Sequence, residues 1–269
     1  VGLVGGVNTI SMNNNPISVI LPNYNGVKYL ERAIQSFVDQ TYSNKQLVIV
    51  DGKSQDGSHE VIQRFADVNP ETILWLREPD QGLSDAINIG IRHCRGEVIG
   101  YLGNDDILYR DILFEVNYHL SLVNYDVIYF DSYDFYVKQN ICRLRKPLAR
   151  EFTRETLLRY GTIVALMNIF FRRHIFNKYQ YNTAYKYAMD YEFCLRITQE
   201  NYLYLYVEKI ATITVLDGGI TESLSTKQAD EIKRAANQYR RPGDAVWFSP
   251  KRSLHKRIFQ SISDLVNKP

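Results

Sequence analysis

From Ile17 onward, short β-rich runs alternate with segments of helical period, and this alternation confines the chain to an α/β architecture in which crossover helices feed a sheet. ISVILP at 17–22, QLVIVD at 46–51, residues 72–76 and EVIGYL at 97–102 read as strands. Between them, residues 27–39 place Leu30, Ala33, Ile34 and Phe37 on one face, as a helix packed on a sheet requires. Residues 83–94 do the same with Leu83, Ala86, Ile87, Gly90 and Ile91. Helices are also expected at 58–65 and 111–122, and a strand at 126–131. The regularity then fades into a hairpin at 133–145, a helix near 153–160, a strand near 165–172 and a helix from 190 to 200. A strand at 203–214 and an amphipathic helix at 225–239 follow.

A chain of 269 residues suits one large α/β domain with a small appendage better than two equal domains. Its net charge of +2 gives no long-range reason to bind nucleic acid. Cys94, Cys142 and Cys194 are widely spaced and lack a CxxC pair, so neither a disulfide framework nor a cysteine zinc site is indicated, and a reducing cytoplasm fits. No window is apolar enough to span a bilayer, and VGLVGGVNTISMNNN lacks the basic region and apolar core of a secretion signal. Residues 1–15 are therefore expected to be a loosely structured lead-in to a soluble fold. Residues 246–269 form a basic, weakly amphipathic tail whose Lys251, Arg252, Lys256 and Arg257 can meet an anionic membrane. A solvated helix face with Leu254 and Ile258 packed on the domain is the favoured alternative.

Ligands of an open α/β sheet bind beyond the carboxyl ends of its strands, so polar residues placed there carry the most weight. Pro22-Asn23-Tyr24-Asn25-Gly26 follows the first strand, residues 51–57 end the second, and Asn104-Asp105-Asp106 follow the fourth. Each alone is an ordinary turn. Together they favour one crevice. An Asp pair suits a hard cation such as magnesium or manganese shared with substrate phosphates, whereas capping before Ile107 explains one carboxylate better than two.

ISVILPNYNGVKYLERAIQSFVDQTY, LVIVDGKSQDGS and EPDQGLSDAINIGIRHCRGEVIGYLGNDD, in that order over residues 17–111, resemble the nucleotide-binding half of inverting family-2 glycosyltransferases. The resemblance implies a GT-A fold: α/β, with a mostly parallel Rossmann-like central sheet flanked by helices and a smaller C-terminal acceptor region. It implies a nucleotide-diphosphate sugar donor, with a UDP-sugar favoured, and Mg2+ or Mn2+ as cofactor. On this reading residues 16–111 are the donor half, and residues 112–245 the acceptor-binding and catalytic half of the same domain. Pro22 and Tyr24 would flank the base, and Asp51 would accept a hydrogen bond from it at the crevice. Ser54, beside Lys53, and Asp85 would lie near the nucleotide; Asp105 would bind the metal with Asp106 its neighbour. Relatives carry a further aspartate where this chain has Gly103, which leaves ribose contact open between Asn104, Asp85 and neither.

AMDYEFCLRI at 188–197 is similar to the family segment that supplies the catalytic base, with Asp190 the matching carboxylate. That base would take the proton of an acceptor hydroxyl as it attacks the anomeric carbon from the face opposite the leaving nucleotide, with inversion. Helix capping by Asp190 is the structural alternative and is compatible with it. Glu192 belongs to the same helix without a catalytic role, to be considered only if Asp190 proves dispensable, and Tyr185 and Tyr187 are candidate acceptor contacts. Asp217-Gly218-Gly219-Ile220-Thr221 resembles a glycine turn that follows the last core strands of relatives, and the five histidines form no ligand pattern. Absence of GxGxxG after the first strand and of GxxxxGK[ST] anywhere disfavours dinucleotide oxidoreductases and P-loop nucleotidases. A sugar-nucleotide nucleotidyltransferase and a catalytically silent nucleotide-sugar or glycan-binding module remain as alternatives. The resemblance also implies a glycan or lipid-linked glycan acceptor in bacterial surface polysaccharide synthesis, at the inner face of the cell membrane.

Overall fold

β1 (Ile17–Asn23) has side chains buried on both faces, and the physical reason is a sheet covered on both sides. The computed structural model describes residues 14–217, 225–244 and the strand 257–258. β1 pairs in parallel with β2 (Lys45–Asp51) on one side and β4 (Val98–Tyr101) on the other, and β2 pairs in parallel with β3 (Ile73–Arg77). Ile17, Val19 and Leu21 point to a layer formed by α1 (Val27–Val38), α2 (Ser58–Val68) and α4 (Ile112–Leu122). Ile20 points to the opposite layer, which contains α3 (Leu83–His93), α5 (Arg154–Tyr160), α6 (His174–Lys178), α7 (Met189–Ile197) and α8 (Ser225–Tyr239). Each fully buried Ile or Leu in these layers contributes roughly 1.5–3 kcal/mol.

The parallel order is confined to the first half. β8 (Ile169–Arg172) joins β4 antiparallel, and β6 (Val127–Tyr136) joins β8 antiparallel, giving the path β6-β8-β4-β1-β2-β3. The turn at 137–140 is too short for a parallel crossover, so β7 (Ile141–Arg145) returns along β6 as the expected hairpin. β9 (Tyr204–Leu216) runs parallel to β6 with a bulge at Phe130–Ser132 and also pairs antiparallel with β5 (Ile107–Leu108). The sheet is thus mixed, and it runs unbroken through both halves of the chain.

Two short elements escape a periodicity reading, β5 and α6, because neither is long enough to repeat a pattern. The lead-in ends earlier than expected. Asn15 is buried and donates from its backbone and side-chain nitrogens to Asn117 Oδ1 at 3.1 and 2.9 Å, and Asn44 Nδ2 donates to the Asn14 carbonyl. Of the basic tail only Arg257 and Ile258 lie within the described residues, and they form a strand, β10, antiparallel to β7 rather than a helix face. Cys94, Cys142 and Cys194 are free and buried. Among the described residues no helix is long and apolar enough to cross a membrane.

Candidate active site at the strand ends

The register Asn23↔Asp51 brings the ends of β1 and β2 side by side, and Asn23, 3% exposed, joins three of the expected strand ends. Its Nδ2 donates to Asp51 Oδ1 at 2.9 Å and to Ser54 Oγ at 3.1 Å, while its Oδ1 accepts from Asn104 Nδ2 at 2.9 Å. Gly26 makes room for this: a Cβ there would lie 2.0 Å from Asn104 Nδ2 and 2.7 Å from Asn23 Oδ1. Sequence reading passed over Asn23, since an Asn before Tyr-Asn-Gly looks like a turn residue.

Asp51 is fully buried rather than facing a crevice. Its Oδ1 accepts from Asn23 and from Ser54 Oγ at 2.5 Å, and its Oδ2 from the Ser54 N–H at 3.2 Å, with Arg77 Nε 3.9 Å away. Ser54 is equally buried, its Oγ also accepting from the Asn25 N–H. Both therefore brace the strand ends. What is exposed is Tyr24, at 68%, beside the half-buried Pro22. Tyr24 and Asp80 flank Gly52: a Cβ on that glycine would stand 3.2 Å from the tyrosine ring and 2.6 Å from Asp80 Oδ2. Asp80 was not singled out in the sequence. Its carboxyl is raised by burial despite a hydrogen bond from the Gly82 N–H. Asp85, in the first turn of α3, accepts from the Gln81 N–H at 3.0 Å and so shapes the loop that carries Asp80. Lys53 is exposed in the left-handed region, φ 59°.

Beyond β4, the Asp106 N–H closes a turn on the Gly103 carbonyl, and both carboxylates converge above that glycine. A Cβ on Gly103 would lie 2.5 Å from Asp106 Oδ2 and 3.1 Å from Asp105 Oδ1, so an aspartate here would crowd the pair unless the acids moved. Asp105 is half-buried; Asp106 is 1% exposed, its Oδ1 accepting from the Val215 N–H at 3.3 Å and its Oδ2 without a partner. Burial pushes both carboxyls up, most completely at the fully buried Asp106, where the charge of Asp105 adds to the rise. Arg32 of α1 opposes both: its guanidinium lies 4.8 Å over the Tyr29 ring, with Nε and Nη2 buried and without hydrogen-bond partners. Among the described residues no three His, Cys, Asp or Glu side chains form a ready metal cage. Two carboxylates completed by substrate phosphates and water is nevertheless a usual magnesium arrangement, and the orphaned Asp106 oxygen fits it.

A carboxyl raised in the folded state binds more protons there than in the unfolded chain, so its contribution to stability is lost as pH rises toward the folded value. Asp106→Asn should therefore gain in melting temperature over the wild type on going from pH 5 to pH 8 in chelator. A difference that stays flat or reverses would place the burden elsewhere.

Asp190 is the second residue of α7, not its cap, which is Ala188. Its Oδ1 accepts from the Tyr191 N–H at 2.8 Å. Burial raises its carboxyl, while the charge of Arg145 works against that rise. Arg145 Nη1 in turn stands 3.7 Å from Asp134 Oδ1, and Asp134 acts on Asp106. Asp134 lies opposite Thr214, next to the Val215 that holds Asp106, so β6 and β9 set Asp134 and its neighbour Arg145 on the side of the acid pair. Neither Arg32 nor Arg145 carries a local sequence signal.

The other second-half assignments divide. Glu192, 1% exposed, accepts from Tyr239 Oη at 2.6 Å and from Arg196 Nη2 at 3.0 Å, a structural role that matches its expected lack of a catalytic one. Tyr185 is buried, its hydroxyl on Gln238, so it is core rather than an acceptor contact. Tyr187 is half-buried and held through its backbone by α8. Asp217 accepts from Tyr29 Oη at 2.6 Å and from Lys28, tying the end of β9 to α1; Gly218–Thr221 lie outside the described residues.

Known proteins give this geometry a context. An uncharacterised glycosyltransferase of Rickettsia typhi is 26% identical over 77% of this chain and 66% of its own length. One of Nostoc is 42% identical over 34% of this chain and 28% of its own. The chain thus spans less than two thirds of these relatives. Among solved structures, Staphylococcus aureus TarS 1-349 in complex with UDP-GlcNAc superposes with a TM-score of 0.66 at 17% identity, covering 83% of this chain and 66% of that one. The mannosyltransferase PcManGT of Pyrobaculum calidifontis, in complex with GDP-Man and Mn2+, gives 0.65 at 16% identity over 86% and 66%. These likenesses establish the GT-A fold. The pattern described as Glycosyl transferase family 2 matches residues 18–189, from the second residue of β1 to the first of α7 and more than half of the chain, and this protein belongs to that family.

Proposed function

We propose that the protein transfers a sugar from a nucleoside-diphosphate donor, a UDP-sugar by preference, to an acceptor hydroxyl with inversion. The observation that carries this reading is the convergence of Asp105 and Asp106 over Gly103, beside the ends of β1 and β2 that Asn23 and Asn104 brace. Tyr24, next to Pro22, offers its exposed ring to the base at the open edge where Asp80 stands. Asp51, Ser54 and Asn104 act mainly through Asn23, keeping that edge in place, with Asp85 shaping the neighbouring loop. Asp105, assisted by Asp106, would hold Mg2+ or Mn2+, which supplies charge neutralisation for the departing diphosphate. Arg32 adds a fixed positive charge on the same side.

Asp190 takes the acceptor proton through Oδ2, since Oδ1 is engaged by the helix backbone. With one direct displacement and no covalent sugar–enzyme stage, the anomeric configuration inverts. Of the two tyrosines before Asp190, the half-buried Tyr187 is the one we assign to the acceptor. Solved neighbours bear UDP-GlcNAc and GDP-Man, and a Bacillus subtilis relative, 35% identical over 35% of this chain and 11% of its own length, is a minor teichoic acid biosynthesis protein. The teichoic acid name supports a role in surface polysaccharide synthesis, and the same proposal takes the acceptor to be a glycan or lipid-linked glycan met on the cytoplasmic side of the membrane.

Calorimetry with UDP tests the donor site. Binding should tighten with Mg2+ or Mn2+, and Asp105→Ala should remove most of that dependence. Equal, metal-independent affinity in wild type and variant would refute the assignment of Asp105.

A further inference from the structure

The segment that delivers Asp190 is held from outside by α8. α7 begins at Met189, and its cap, Ala188, has no side chain able to satisfy the unpaired N–H groups at a helix start. Glu231 instead holds the segment that leads into the helix, up to the N–H of the cap itself. Its Oε1 accepts from the Lys186 N–H at 3.0 Å, and its Oε2 from those of Tyr187 and Ala188 at 2.7 and 2.9 Å. The same helix adds Gln228 Nε2 on the Tyr187 carbonyl at 3.1 Å and Arg234 Nη2 on the Ala184 carbonyl at 2.7 Å. Three consecutive backbone donors on one carboxylate fix the loop, and the bond from the Ala188 N–H sets that carboxylate at the positive end of α7.

We propose that Glu231 is a positioning residue: by binding the backbone of residues 186–188 it sets where Asp190 stands relative to the acceptor hydroxyl. This rests on the reading of Asp190 as the base. It makes α8 part of the catalytic apparatus, although none of its side chains need touch substrate. Gln228, Arg234 and Tyr239 still tie α8 to residues 184–192 when Glu231 is altered, so the fold should survive the change.

The experiment uses the whole chain, with UDP-GlcNAc as donor probe and release of UDP in the presence of a pooled glycan acceptor as readout. Glu231→Ala should lower kcat on the order of 10–10²-fold with donor KM unchanged, as a small misplacement of a reacting group does. Glu231→Gln keeps one accepting oxygen and should fall between. Amide exchange at 186–188 should quicken by about tenfold or more in Glu231→Ala while that of β1 and α3 stays as in the wild type. In an Asp190→Asn background the kcat penalty of Glu231→Ala should vanish, because the group it positions is gone. Unchanged exchange at 186–188, or an equal penalty in both backgrounds, would overturn the proposal. Full activity of Asp190→Asn alone would instead remove the base reading, while the exchange result would still report on the clip.

Discussion

Asp190→Asn should lower transfer by ~10²–10⁴-fold, the usual contribution of a general base, while leaving nucleotide and metal affinity close to the wild type. The geometry makes this substitution unusually clean. Asn retains an oxygen for the Tyr191 N–H that Oδ1 now accepts, and the helix is capped elsewhere, so no structural duty of Asp190 is lost. Because burial raises the wild-type carboxyl, removing its charge should not lower the melting temperature at pH 8. The pH profile offers an independent reading. Wild-type kcat should fall as pH drops through a value above the ordinary carboxylate range, and the residual activity of the variant should lack that limb. Glu192 offers no substitute, bound as it is to Tyr239 and Arg196. Near-wild-type transfer by folded Asp190→Asn would therefore end the assignment and send the search for a base outside α7.

What could be read in the sequence follows from where its signals are local. β1, β2 and β4 are buried on both faces, so their apolar runs are continuous and mark strands plainly. A strand ending at Asp131 and a separate hairpin from residue 133 were expected, but β6 runs unbroken to Tyr136, because Ser132, polar yet buried, does not interrupt the ladder. Within the site, position at a strand end was legible for Asp51, Asn104, Asp105 and Asp106. Accessibility was not: Asp51 lies under Asn23 and Ser54, an arrangement that arises only when two strand ends are brought together. Gly103 is accounted for by the two acids that meet above it. Arg32, Arg145 and Glu231 were missed because each lies on a helix face or strand whose pattern a charged residue already satisfies, and each acts on residues far along the chain.

Asn23→Ala is the second substitution with a large expected effect, and it acts through stability and binding together. The amide is buried and makes three side-chain hydrogen bonds across the ends of β1, β2 and the segment after β4. Alanine leaves the half-buried Asn104 Nδ2 without its acceptor and strips the fully buried Asp51 carboxylate of a donor. A buried polar group left unsatisfied costs about 1–3 kcal/mol, more when charged, so a loss on the order of 3 kcal/mol is expected. Ser54 continues to bond Asp51 from its hydroxyl and its N–H, which should keep the variant folded at low temperature. Nucleotide affinity should still drop by about tenfold or more, because Tyr24 and Asp105 follow strand ends that no longer share a fixed spacing. Asn23→Asp provides the control. It preserves the shape but sets a second carboxyl against Asp51, and it should be worse than alanine at pH 8 and improve as the pH falls and the pair gains a proton. A wild-type melting temperature and wild-type UDP binding in Asn23→Ala would mean that the strand ends hold their spacing without it, and that the polar junction is a consequence of the site's geometry rather than its cause.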